Sequence, residues 1–328
     1  WMNYSLIESG ENAPHFNNYG GEERFWLGPE GGQFSVFFKP GVSFSFDNWQ
    51  VPAPIDSEAF DLVESNDTLA IFRRDVKLLN YSNFEFSVRI DRSISLLSDS
   101  KAKEIVGMNL ASDVQMIGYT TENSITNTGE LAWSKQTGLL SIWILGQFIS
   151  SPSNTVIVPF NPGSTEDLGP IVNDTYFGKI EADRLAIADS LIFFKADGKK
   201  RGKIGLSPSR SKNFLGSYDR AQRVLTLMYY NKPVNQEGYV NSMWELQEHP
   251  FGGDVINSYN DGPLDDGSQM GPFFELEASS PAAILKPGKS LNHINTTIHL
   301  SGSEASMDKL LMKLFGTSIE EVKQALNN

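Results

Sequence analysis

Short alternating runs broken by turns occupy almost the whole chain, and this pattern limits its fold more than any other feature. Residues 33–46, QFSVFFKPGVSFSF, read as two such runs around Pro40-Gly41, a hairpin. Residues 68–79 and 83–94 alternate, with Val88, Ile90 and Ile94 on one side. Residues 114–127, 139–148 and 224–230 read as further strands. Residues 191–195, an Asp197-Gly198 turn and residues 203–206 predict a second hairpin. Only the end departs from this pattern. Met307, Leu310, Leu311 and Leu314 have helical spacing, Gly316 is a natural stop, and Thr317 with Glu320 predicts a capping box for a last helix ending at Leu326. No Pro/Gly/Ser-rich linker divides the chain. The expectation is one all-β domain, residues 1–302, with a helical tail, 303–328, packed on it.

Charge and composition narrow the partners. A net charge of −13 over 328 residues argues against nucleic acid, whose phosphates call for a basic footprint. With no cysteine, thiol nucleophiles, disulfides and Cys-ligated zinc are excluded. No apolar run reaches the length of a membrane span. A monomer is expected.

Two constellations and one pair carry candidate chemistry. Glu275 and Glu277 stand two apart in an extended run, so they share a strand face while Phe274, Leu276 and Ala278 face the other way. Neighbouring carboxylates push their pKa values apart, which suits acid/base work. Residues 18–32 combine five glycines with Arg24, Glu22, Glu23 and Glu30 beside Phe25 and Trp26. Aromatic rings stack on sugar faces while charged groups bind hydroxyls, so Arg24, Trp26 and Glu30 are candidate ligand contacts; a salt-bridged turn at a sheet edge is the bland alternative. Residues 244–269 gather Trp244, Glu245, Glu248, His249, Asp254, Asn257, Asn260, Asp261, Asp265 and Asp266. His249 is a candidate acid or base, with an ordinary pKa of about 6.5. Trp244, Asn260 and Asp261 are candidate ligand contacts. The reading is no metal and no cofactor, with calcium at this oxygen-rich loop the alternative; the spacing does not match an EF-hand. The basic stretch 195–212, with Lys199, Lys200, Arg201, Lys203 and Arg210, reads as a charged hairpin tip in preference to a grip on an acidic saccharide.

The stretch Leu276-Glu277-Ala278, Pro281, Ala283-Ile284-Leu285-Lys286-Pro287-Gly288 and His293 resembles the C-terminal end of aldose 1-epimerases (galactose mutarotases). The resemblance puts the family's general base on Glu277 and its early arginine on Arg24. The family's mid-chain Asn-His motif has no counterpart in residues 142–148, IWILGQF, so an acid must come from elsewhere, from His249 or a protonated Glu275. A wider resemblance runs through GGEERFWLGPEGGQF, Ile125-Thr126-Asn127-Thr128-Gly129, SIWILGQF, Val240-Asn241-Ser242-Met243-Trp244, Ser258-Tyr259-Asn260-Asp261-Gly262 and GPFFELEASSPA, and is to an uncharacterised bacterial family. It implies a galactose mutarotase-like β-supersandwich and an exported protein, periplasmic or secreted. The function expected is carbohydrate recognition in a concave groove, with Glu277, Glu275 and His249 as possible catalytic groups. The alternatives are a non-catalytic sugar-binding protein and a structural envelope protein.

Overall fold

The computed structural model describes residues 1–233, 238–264 and 266–326. These form two antiparallel sheets with short helices at their margins. The larger sheet has ten strands, in the order β2 (Asp61–Ser65), β3 (Leu69–Leu79), β4 (Glu85–Leu96), β5 (Gln115–Asn127), β15 (Ser290–Ser301), β12 (Val224–Tyr230), β11 (Phe214–Asp219), β7 (Asn154–Pro159), β9 (Leu191–Lys195) and β8 (Leu185–Ala188). The smaller has five: β1 (Arg24–Gly28), β6 (Ser141–Ile149), β14 (Phe273–Ser279), β13 (Ile256–Asn260) and β10 (Gly202–Leu206). The helices are α1 (Tyr4–Ser9), α2 (Ala53–Asp56), α3 (Asp99–Val106), α4 (Thr165–Leu168), α5 (Glu304–Leu314) and α6 (Ile319–Gln324).

Alternation sorts the side chains into three layers. From the smaller sheet, Ile204, Leu206, Ile256, Phe274, Leu276 and Ala278 pack against Val156, Val158, Ile192, Leu215 and Met228 of the larger, forming the core between them. The larger sheet turns Ile157, Phe193, Leu225, Leu227, Ile298 and Leu300 outward, where α3, α5 and α6 cover them. The other face of the smaller sheet carries the polar and aromatic members of each strand. Both β14 carboxylates lie on that face, opposite Phe274, Leu276 and Ala278, as their spacing requires.

Three sequence expectations are corrected. Residues 33–46 form no strand. Ser35, Val36, Phe37 and Phe38 are all buried in succession, a demand that a strand with one buried face cannot meet. The segment instead wraps its rings into an aromatic cluster in which Phe37 and Phe46 both stack on Trp49. The Pro40-Gly41 turn survives, with Gly41 at φ 79°. The second hairpin is also absent: β9 belongs to the larger sheet and β10 to the smaller. The Asp197-Gly198 turn carries the chain from one to the other, with Arg184 gripping Asp197 at 2.6 Å. Finally, the capping box of α6 is built on Ser318 and Glu321, one residue beyond the expected Thr317 and Glu320. Thr317 still donates to Glu321 Oε2 at 3.2 Å.

Candidate functional site

The strand registers lay the outer face of the five-stranded sheet out as a grid. Gly205, Asn257, Glu277, Leu145 and Arg24 lie in one row across all five strands. Lys203, Tyr259, Glu275 and Gln147 form the next. Over this grid stand Trp244 and Phe46 from the loops, with Tyr176 and Phe177 from the segment before β8. Together they enclose a cavity of about 450 Å³ lined by Glu30, Trp143, Tyr176, Phe177, Arg201, Lys203, Trp244, Asp254, Asn257, Tyr259 and Asp261. A smaller cavity of about 90 Å³ adjoins it, lined among others by Arg24, Trp26, Gln147 and Glu275.

Glu277 is fully buried and does not itself line either cavity. Its Oε2 accepts from Lys203 Nζ at 3.0 Å and from Trp143 Nε1 at 2.9 Å, and both donors do line the larger cavity. Its Oε1 has no partner among the described residues. The Lys203 ammonium also lies 4.7 Å from the Trp143 ring centroid. Burial pushes the Lys203 pKa down, but Glu277, Glu30 and Glu275 together outweigh it and raise it, so this lysine is held as a cation. Gly205 leaves room for two neighbouring polar groups: a Cβ there would come within 2.2 Å of Asp254 Oδ2 and 2.6 Å of Asn257 Nδ2.

The surrounding acids divide by environment. Burial raises Glu30 to about 7; Lys203 opposes that shift, Glu277 adds to it, and a hydrogen bond with Trp244 opposes it. Burial also raises Glu275, with Arg24 opposing and Glu277 adding. Arg24 pairs with Glu275 while its guanidinium stacks between Phe16 and Trp26, 4.9 and 4.7 Å from their ring centroids. Asp254, raised by burial, accepts from the Tyr176 hydroxyl at 2.7 Å and from Asn173 Nδ2 at 3.2 Å. The cavity therefore has aromatic walls, a fixed ammonium and a carboxyl poised near neutrality.

The expected site residues are only partly brought together. Glu30, Trp244 and Asp261 line the larger cavity, and Arg24, Trp26 and Glu275 the smaller. His249 is exposed on its loop and lines neither. Asn260 is buried and structural: its amide oxygen accepts from Gly198 N–H at 2.9 Å and its Nδ2 donates to Lys200 O at 2.8 Å, tying down the crossing between the sheets. Among the described residues no cluster of three or more His, Asp or Glu could hold a metal ion, and Asp265 of the oxygen-rich loop lies outside the described residues. The groups the sequence concealed are Arg201 and Lys203, which are not a hairpin tip, together with Trp143 and Tyr176. Lys203 carried a signal in the alternation of residues 203–206, which puts it opposite Ile204; Tyr176 lies in irregular chain and carried none.

Both sheets and their order define a two-layer all-β protein with a cavity on the open face of the smaller sheet. The fold is similar to that of the Slr1438 protein from Synechocystis sp. PCC 6803 (TM-score 0.50, 11% identity, 92% of this chain and 84% of that one). Also similar are a putative aldose 1-epimerase from Escherichia coli K12 (TM-score 0.49, 12% identity, 85% and 84%) and a galactose mutarotase-like protein from Lactobacillus casei ATCC 334 (TM-score 0.45, 10% identity, 85% and 84%). No curated protein matches the chain. The chain belongs to a family of unknown function, DUF6786, whose model matches residues 1–326.

Proposed function

We propose that the chain recognises a carbohydrate in the cavity over the five-stranded sheet. The observation that carries this reading is the cavity lining: Trp143, Tyr176, Phe177, Trp244 and Tyr259 surround Glu30, Lys203, Asp254 and Asn257. Apolar walls with a few placed polar groups are what small-ligand sites use, and a sugar offers C–H faces to the rings and hydroxyls to the polar groups. The resemblance of the segment around Glu277 to aldose 1-epimerases supports the same ligand class.

Within this reading the proton-handling group is Glu30. Its pKa of about 7 lets it give or take a proton from a sugar oxygen near neutral pH. Lys203 supplies a fixed positive charge for a developing oxyanion. Glu277 acts through Lys203 and is a positioning residue. A second reading, binding without turnover, is favoured by the burial of Glu277 beneath Lys203 and Trp143.

Thermal-shift titration with a panel of mono- and polysaccharides tests the proposal on wild type, Glu277→Gln and Trp244→Ala. A sugar at a hundred times its Kd stabilises the native state by about 2.7 kcal/mol. The expected result is a shift in wild type that shrinks in both variants. If no sugar shifts wild type, the proposal falls. NMR of the bound sugar then separates the readings: anomer exchange or bond cleavage means an enzyme, an unchanged sugar a binding protein.

A further inference from the structure

Three cations line the cavities, and two of them are paired, Arg24 with Glu275 and Lys203 with Glu277. The third, Arg201, has no ion pair or side-chain hydrogen bond among the described residues, and its Nε is buried without a partner. Its guanidinium lies 4.0 Å from the Phe177 ring centroid and 5.9 Å from that of Tyr259. Stacking fixes the plane of the fork and leaves its N–H groups as the free feature. A donor withdrawn from water and given no acceptor is costly, and more so when it is charged. Arg201 Nε therefore lacks an acceptor that a ligand from outside the chain can supply.

We propose that Arg201 anchors the carboxylate of an acidic sugar, a hexuronate, in this cavity; the inference rests on the carbohydrate reading above. A carboxylate matches the planar fork with two parallel hydrogen bonds, which a hydroxyl cannot do. A single unpaired cation balances a single negative charge. A phosphate would bring a second charge into a cavity that already holds Glu30, Asp254 and Asp261. Asp261 does not occupy the fork, because its oxygens accept from the Tyr259 hydroxyl at 2.7 Å and from Gly271 N–H at 3.0 Å. The hexuronate would then lie with its carboxylate at Arg201 and its ring hydroxyls toward Lys203, Glu30 and Asn257.

Calorimetric titration of wild type, Arg201→Gln and Arg201→Lys with D-galacturonate, D-glucuronate, D-galactose, D-glucose and D-glucose 6-phosphate tests this. Wild type is expected to bind at least one uronate about tenfold or more tighter than its neutral counterpart, since the added contact is charge-assisted. Arg201→Gln should bring that ratio near one, and Arg201→Lys, which keeps the charge without the fork, should fall between. Equal binding of acidic and neutral sugars overturns the inference and leaves the carbohydrate reading standing. So does an Arg201→Gln variant that weakens both kinds alike, or a sugar phosphate that binds tighter than either uronate. Binding of none of these sugars by wild type overturns the uronate assignment, and the broader saccharide panel then decides whether the carbohydrate reading falls with it.

Discussion

Glu277 and Lys203 face each other at 3.0 Å with almost no exposure, a charge pair committed to the interior of the site. Breaking such a pair from one side leaves a buried charge uncompensated, at a cost of about 3–5 kcal/mol. Replacing both partners removes the charge problem itself. Glu277→Gln alone should therefore destabilise more than Lys203→Met with Glu277→Gln, measured by urea denaturation at pH 7. A double variant no more stable than Glu277→Gln would mean that Glu30 and Glu275 already carry the lysine. His293 presents the opposite case. It is wholly buried, both ring nitrogens lack a hydrogen-bond partner among the described residues, and burial pulls its pKa down to about 3. The unfolded chain takes up this proton near pH 6.5, whereas the native chain resists it until about 3. Stability is thus full above the unfolded value and lost as pH falls between the two, at up to about 1.4 kcal/mol per pH unit. His293→Leu should flatten that acid slope relative to wild type in denaturation series from pH 7 to pH 4. Parallel slopes would mean that the ring finds a partner for its proton.

The elements show which physical signals a sequence carries and which it does not. Period-two alternation located β3 and β4, and placed Glu275 and Glu277 on one face, because a pleated strand leaves that trace in its own residues. The same test misread residues 33–46, where aromatic residues are spaced closely enough to mimic alternation yet Val36, Phe37 and Phe38 are buried in succession. Turn chemistry identified Asp197-Gly198 correctly as a turn, but which sheet each flanking strand joins is decided by partners far along the chain. The site follows the same division. Lys203 reaches Glu277 only because β10 pairs with β13 and β13 with β14, bringing together residues 74 apart in sequence. From local sequence it was one of seven bases in a charged stretch. His249 drew attention by residue type alone, and type says nothing about where a loop points.

At the scale of the whole molecule the two sheets divide the work. The five-stranded sheet keeps one face for the cavity, whereas the ten-stranded sheet is packed on both along β7, β9, β11 and β12. Its outer face depends on the C-terminal helices: Met307, Leu310, Leu311, Phe315, Ile319 and Val322 are buried against Ile157, Leu225, Leu227, Ile298 and Leu300. Without them a contiguous apolar strip would meet water, on a scale that drives association. A chain ended after Gly302 should therefore show strong binding of a hydrophobic dye and concentration-dependent scattering. The milder Leu310→Ala should cost about 2–5 kcal/mol as a cavity in this layer. Because these helices lie across the larger sheet from the cavity, ligand affinity of the folded Leu310→Ala protein should match wild type. A chain ended after Gly302 that stays monodisperse with an unchanged Tm would mean that the helices cover the sheet without stabilising it. An affinity change in Leu310→Ala would mean that the outer layer and the cavity are mechanically coupled through the sheet between them.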